Sequence, residues 1–159
     1  MQMAKSYYSI LLDNSAEDVW ESIRLFDHYA WAGVEGRTVI EEGKAGDQVG
    51  AIRRVELGDR VIRQRLLAHS DVERSYSYAL CEPSPYPVHG YTATIRIVPV
   101  VESSQVFVEW WASFDCAAEE RERWTRHFRD EGFAKWLAAL RRFMTKAARG
   151  DANLRGGTG

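Results

Sequence analysis

Apolar and polar residues alternate along much of the chain, then give way to a helical spacing in its last quarter. Residues 7–12 read as a first strand, and Asp13-Asn14-Ser15 supplies turn and N-cap chemistry after it. Asp18, three residues beyond Ser15, makes a short-armed capping box, and Val19, Trp20 and Ile23 share one helix face within residues 16–26. A second short helix or turn is predicted over residues 26–31, broken by Gly33 and Gly36. Period-two alternation then predicts strands over residues 37–42, 49–57, 61–69 and 74–81, with a compact Gly58-Asp59 turn inside the series. Pro83, Pro85 and Pro87 remove ladder donors and make their segment a loop. Two long strands follow, over residues 88–101 and 105–115.

Residues 118–148 take a helical pattern, with Phe133, Leu137, Leu140 and Met144 on one stripe and Trp124, Phe128 and Trp136 beside it. A helix of about 30 residues would run roughly 45 Å. The polar, glycine-rich end is expected to fray, leaving one domain over residues 1–149 and a flexible tail over 150–159. One strand, two short helices, six strands and a long helix make an α+β order. A continuous antiparallel sheet curled around the last helix is the layer arrangement that buries its stripe.

Composition narrows the function. The chain has 159 residues, 45% hydrophobic and 28% charged, an ordinary globular balance. Its 21 Lys+Arg against 23 Asp+Glu give a net charge of −2, without the concentrated basic field that nucleic acid requires. Cys81 and Cys116 are too few for a disulfide framework; they could pair with each other, but they read as reduced thiols of a cytoplasmic protein. The early apolar stretch over residues 7–12 is too short to span a bilayer, so no stable membrane insertion is expected. The four histidines lack close metal-ligand spacing, and no phosphate loop, dinucleotide fingerprint or nucleophile elbow is present. No metal or cofactor is therefore expected. Aromatics reach 12%, with six tryptophans, which suits either a tightly packed interior or an apolar cavity.

Strand parity sorts the faces. The inward sets are Val106, Val108, Trp110, Ala112 and Phe114; His89, Tyr91, Ala93, Ile95 and Ile97; Val49, Ala51, Arg53, Val55 and Leu57; Ile62, Gln64, Leu66 and Ala68; and Tyr76, Tyr78 and Leu80. Polar groups thus fall on apolar faces at Arg53, Gln64, Tyr76, Tyr78, His89 and Tyr91. Unpaired burial of such groups costs several kcal/mol, so they must meet one another, water or a ligand. Either they satisfy each other in a solid core, or they converge on a cavity that takes a small molecule.

Gly50-Ala51-Ile52-Arg53 followed by Val61-Ile62-Arg63-Gln64-Arg65-Leu66-Leu67 resembles the polyketide cyclase/dehydrase branch of the START-like superfamily. So do Arg74-Ser75-Tyr76-Ser77-Tyr78, the run from Pro87 to Ile97, Val108-Glu109-Trp110-Trp111-Ala112-Ser113-Phe114, and Gly132-Phe133-Ala134-Lys135-Trp136-Leu137. The resemblance implies the helix-grip (Bet v 1-like) fold, a seven-stranded antiparallel sheet around a long C-terminal helix with two short helices after the first strand. It also implies a hydrophobic cavity, and it leaves the chemistry open because one scaffold hosts many functions. Gln64 departs from the branch, which often carries Glu there, and so removes a base and a countercharge for Arg53. The stretch Trp31-Ala32-Gly33-Val34 lacks the anchoring lysine of the related abscisic acid receptors, which argues against a hormone receptor.

If the cavity is catalytic, Arg53 stabilises negative charge, Tyr78 and Tyr91 donate to a carbonyl, and His89 moves a proton. Arg53 could equally form a structural pair with a carboxylate such as Glu41, and His89 could sit in water at the mouth. Gln64, Tyr76, Trp110, Phe128, Ala93, Leu66, Val55 and Phe114 are the expected ligand-binding residues. Two functions follow: cofactor-independent cyclase or dehydratase-like catalysis on a carbonyl-bearing substrate, or carriage of a lipid, isoprenoid or aromatic metabolite. A partner-binding co-chaperone role is a third. The expected partner is a hydrophobic small molecule, and the expected state is monomer or homodimer.

Overall fold

The alternating segments close into one seven-stranded antiparallel sheet in the computed structural model, which describes residues 3–34 and 36–155, the last seven by their backbone alone. The elements are β1 (Met3–Leu12), α1 (Ala16–Ile23), a 3₁₀ turn (Ala30–Ala32), β2 (Thr38–Ile40), a second 3₁₀ turn (Glu41–Gly43), β3 (Ile52–Leu57) and β4 (Arg60–Ser70). Then come β5 (Ser75–Leu80), β6 (His89–Val100), β7 (Gln105–Asp115) and a third 3₁₀ turn (Ala118–Glu120). The chain ends on α2 (Arg121–Arg126), a π-helical segment (His127–Phe133) and α3 (Ala134–Arg155). Strand order is β1-β7-β6-β5-β4-β3-β2, so the first two strands in sequence are the two edges of the sheet. This is the helix-grip α+β architecture.

The inward face of β7 is as the alternation requires: Val106, Val108, Trp110, Ala112 and Phe114 are all buried. Opposite them, Phe133, Leu137, Leu140 and Met144 bury the helical stripe. Trp124 and Phe128 join that stripe rather than lying beside it. The cause is the π turn. Phe128 and Phe133 are five residues apart, which an α-helix would place on different faces and an i→i+5 turn brings together. The expected frayed tail also differs, since α3 runs through Arg155; residues 156–159 fall outside the described ones.

Two β-bulges reverse parity where simple alternation does not. In β6, His89 pairs with Asp115 and Thr92 with Ser113, so Gly90 and Tyr91 together oppose Phe114 alone, and Gly90 takes φ 61°. The inward place before the bulge falls to Val88, which is buried, while His89 is exposed and not inward. In β4 the register shifts between Leu66 and Ala68, leaving Ala68 exposed. His69 takes the inner side there, 5.3 Å from the Trp20 ring. Val49 and Leu57, expected inside, are exposed because the β3 ladder starts at Ile52 and ends at the hairpin. β2 is only three residues long, and Glu41 lies in a turn where it accepts from Arg63 at 2.8 and 3.0 Å. Cys81 and Cys116 are free thiols, half-buried and buried.

Ser15 caps α1, its hydroxyl accepting from the Asp18 amide at 3.1 Å. The helix is tied to the β4–β5 turn by Asp71, which accepts from Trp20 Nε1 at 2.9 Å, Arg24 Nε at 3.0 Å and His69 Nε2 at 3.2 Å. Hydrogen bonds from Arg24 and then Trp20 hold the Asp71 carboxyl well below the usual carboxylate range.

Gly90→Val isolates the cost of the left-handed bulge, since nothing lies within 4 Å of a Cβ built there. It should lower stability by about 1–3 kcal/mol, read by urea denaturation, without changing helix content. A carboxylate depressed on folding stabilises above its unfolded pKa of about 4, and loses that contribution as pH falls toward its folded value. Asp71→Asn should therefore lower the melting temperature at neutral pH, and its melting curve should converge on that of the wild type as pH falls below about 4.

Candidate functional site

Arg53 sits in the middle of β3, directly opposite Ile40 of β2 and Gln64 of β4. Its alternation with Ala51 and Val55 turns it inward, and it is 0% exposed. Its Nε donates to Gln64 Oε1 at 2.9 Å, one terminal nitrogen donates to the same oxygen, and the other donates to the Phe26 carbonyl at 3.1 Å. The guanidinium carbon lies 4.0 Å from the Phe26 ring centre, 3.9 Å from that of Tyr29 and 5.3 Å from that of Tyr78. Two ring faces and three hydrogen bonds thus stand in for water around a buried cation. The expected carboxylate partner, Glu41, is taken by Arg63 instead. Among the described residues, Arg53 has no ion pair.

The tyrosines near this cation are donors. Burial pushes the phenols of Tyr29, Tyr76, Tyr78 and Tyr91 above their ordinary range, while the Arg53 charge pulls each of them partly back. All four keep their protons at neutral pH. Tyr78 Oη accepts from Trp110 Nε1 at 3.2 Å. Tyr76 Oη and Trp31 Nε1 are buried without a hydrogen-bond partner among the described residues.

The expected site residues divide between two places. Tyr76, Tyr78, Tyr91, Trp110, Phe114 and Phe128 pack on one another and on the helix. Tyr91 lies 5.0 Å from Phe128, Phe114 5.1 Å from Phe128, and Trp110 5.2 Å from Phe133, between ring centres. Ala93 and Leu66 are buried in the same core. Val55 and Gln64 instead line a pocket of about 330 Å³ beside that core. Tyr29, Gly33, Val34, Leu57, Ile62 and Trp136 complete its wall. Arg53 stands directly behind it, against Gln64 and Tyr29. His89 is on the exposed start of β6 and is not part of this wall.

Tyr29, Gly33, Val34, Leu57, Ile62 and Trp136 were not among the expected site residues. Gly33 takes φ 73°, and a Cβ there would stand 3.2 Å from the Ala139 Cβ, so the loop after α1 is pressed against α3. The apolar run Trp31-Ala32-Gly33-Val34, with a helix-breaking glycine inside it, was the available signal for this wall. A wider cleft of about 520 Å³ shares Tyr29 and Val34 with it and is bordered by Glu21, Asp27 and His28. The smaller pocket is the better candidate for an organic ligand because its lining is mainly apolar, with the Gln64 amide and the Tyr29 phenol as its polar side-chain groups, the usual make-up of such sites.

Among the described residues, no helix is long and apolar enough to cross a membrane. A family model described as polyketide cyclase / dehydrase and lipid transport matches residues 3–150. No curated protein matches. Among solved structures, a protein from Nitrosospira multiformis is 28% identical, with 91% of this chain and 99% of that one covered and a TM-score of 0.75. A protein from Thermobifida fusca is 25% identical over 86% of this chain and 90% of that one, with a TM-score of 0.78. Norcoclaurine synthase from Thalictrum flavum, solved as a point mutant with a transition-state analogue, is 13% identical over 92% and 97%, with a TM-score of 0.73, and shares the fold.

The Arg53–Gln64 pair is open to a double-mutant cycle. Gln64→Leu strips the guanidinium of its side-chain acceptor and should destabilise the wild type. It should cost less in an Arg53→Met background, with a coupling of about 1.5–3 kcal/mol measured by urea denaturation.

Proposed function

The chain belongs to the polyketide cyclase / dehydrase and lipid transport family, and from that premise we propose that it binds an apolar small molecule in the pocket between β3, β4, Tyr29 and Trp136. The observation that carries the reading is the pocket's make-up. Val34, Val55, Leu57, Ile62 and the Trp136 ring offer apolar surface, and Gln64 offers one fixed polar contact. A volume of about 330 Å³ suits a ligand of one or two fused rings, or a short isoprenoid.

Carriage is the first reading, because the groups at the pocket are donors. Gln64 and the protonated Tyr29 can hold an oxygen, but neither takes a proton at neutral pH. Cyclase or dehydratase-like catalysis is the second reading, favoured by the guanidinium behind Gln64, which would stabilise negative charge developing on a bound carbonyl. In that reading Arg53 is the electrostatic residue, and Tyr78 and Tyr91 act through the core rather than by touching the substrate. The two free thiols fit a cytoplasmic protein.

Filling the pocket tests the reading. Ile62→Trp should weaken binding of N-phenyl-1-naphthylamine, followed by its fluorescence, by about tenfold or more, with the melting temperature held within a few degrees of the wild type. Undiminished binding would remove the pocket from consideration.

A further inference from the structure

Gln64 and Arg53 also fix which chemistry the pocket prefers. A guanidinium has only donors, so the Gln64 amide must turn its oxygen toward Arg53, where Oε1 receives both bonds. The orientation of the amide is therefore decided by chemistry. Its –NH₂ is left for the other side, and Gln64 keeps 7% exposure where it borders the pocket. Among the described residues that nitrogen has no hydrogen-bond partner, and it is not fully sealed from solvent. The amide that Gln64 presents to the wall of a mainly apolar pocket is thus a donor. Behind it stands a positive charge with no carboxylate to balance it among the described residues.

Resting on the ligand-binding reading above, we propose that Gln64 is the specificity residue of the pocket, selecting apolar molecules that present an acceptor oxygen, with a carboxylate, enolate or phenolate preferred over a neutral carbonyl. The donor needs an acceptor, because a ligand without one would bury the amide hydrogens unsatisfied. The charge behind it ranks the acceptors, since a nearby cation in a poorly solvated wall favours a negative oxygen over a neutral one. It disfavours a cationic ligand by the same field. With Glu in this position the carboxylate would neutralise Arg53 and face the pocket with acceptors only, so the preference would run the other way. Tyr29, whose ring lies against the same guanidinium and whose side chain also lines the pocket, adds a second protonated donor to that wall.

Three probes of one size separate the cases: 2-naphthoate, 2-acetylnaphthalene and 2-naphthylmethylammonium, titrated calorimetrically at low salt and neutral pH. The wild type should bind them in that order, with naphthoate tighter than the ammonium by about tenfold or more. Gln64→Glu should erase or reverse the order, with a melting temperature no lower than that of the wild type. Gln64→Met, which keeps the length and removes the donor, should lose the advantage of acetylnaphthalene over unsubstituted naphthalene, and it serves if the glutamate variant does not fold. Equal binding of the three probes by the wild type overturns the selectivity and leaves the pocket standing. A preference for naphthoate that survives Gln64→Glu, or an advantage of acetylnaphthalene over naphthalene that survives Gln64→Met, overturns the assignment to Gln64. If the wild type binds neither these probes nor N-phenyl-1-naphthylamine, the pocket reading itself falls.

Discussion

The guanidinium of Arg53 must be satisfied without water, and that requirement organises one end of the domain. Its donors reach across the ladder to Gln64 and out of the sheet to the Phe26 carbonyl, so one side chain ties β3 to β4 and to the loop after α1. The rings of Phe26 and Tyr29 stand within about 4 Å of its carbon, which keeps that loop folded inward. Tyr29 in turn lies 5.5 Å from Trp31 and 6.4 Å from Trp136, ring centre to ring centre. The cation thereby sets the position of the wall that closes the pocket against α3. A lysine would not serve as well, because its ammonium lacks the planar fork that meets an amide oxygen twice and lies flat against a ring.

The aromatic side chains explain why the hollow lies to one side. Trp110, Phe114, Tyr91, Phe128 and Phe133 consume each other's volume in the middle of the sheet, where both long strands and the π segment supply large residues. Toward β2 the supply runs out. β2 has three residues, the β3–β4 hairpin ends in exposed Leu57 and Arg60, and the facing loop offers Gly33. Space remains there because few inward side chains are available to fill it, and Trp136 reaches in from α3 to form one wall.

Much of this was legible in the sequence, and the exceptions share a cause. Strand alternation located the sheet, and it placed Arg53, Gln64, Tyr76 and Tyr78 inside because those positions lie on uninterrupted ladders. It misplaced His89 and Ala68 because a bulge adds one residue, and one residue inverts every face beyond it. Gly90 marked the first bulge, though a glycine in a strand has several readings. The π segment left a clearer trace: the step from Phe128 to Phe133 is five residues in a run otherwise spaced by threes and fours. The pocket wall was harder to anticipate. Tyr29 and Gly33 belong to a loop without periodicity, and their place depends on the distant cation they pack around.

The fold and the site answer to different amounts of sequence. The sheet needs only the right polarity at alternate positions and a helix with one apolar stripe, conditions that very different sequences meet. That is why norcoclaurine synthase at 13% identity superposes with a TM-score of 0.73. The chemistry of the pocket depends on very few atoms. Exchanging a carboxylate for an amide opposite Arg53 leaves the β3–β4 register unchanged, because the two residues face each other whichever is present. It nevertheless changes the balance of charge behind the pocket by a full unit and turns an acceptor into a donor. Within such a family, divergence in what is bound can therefore proceed through a single cross-strand pair while the surrounding architecture stays the same.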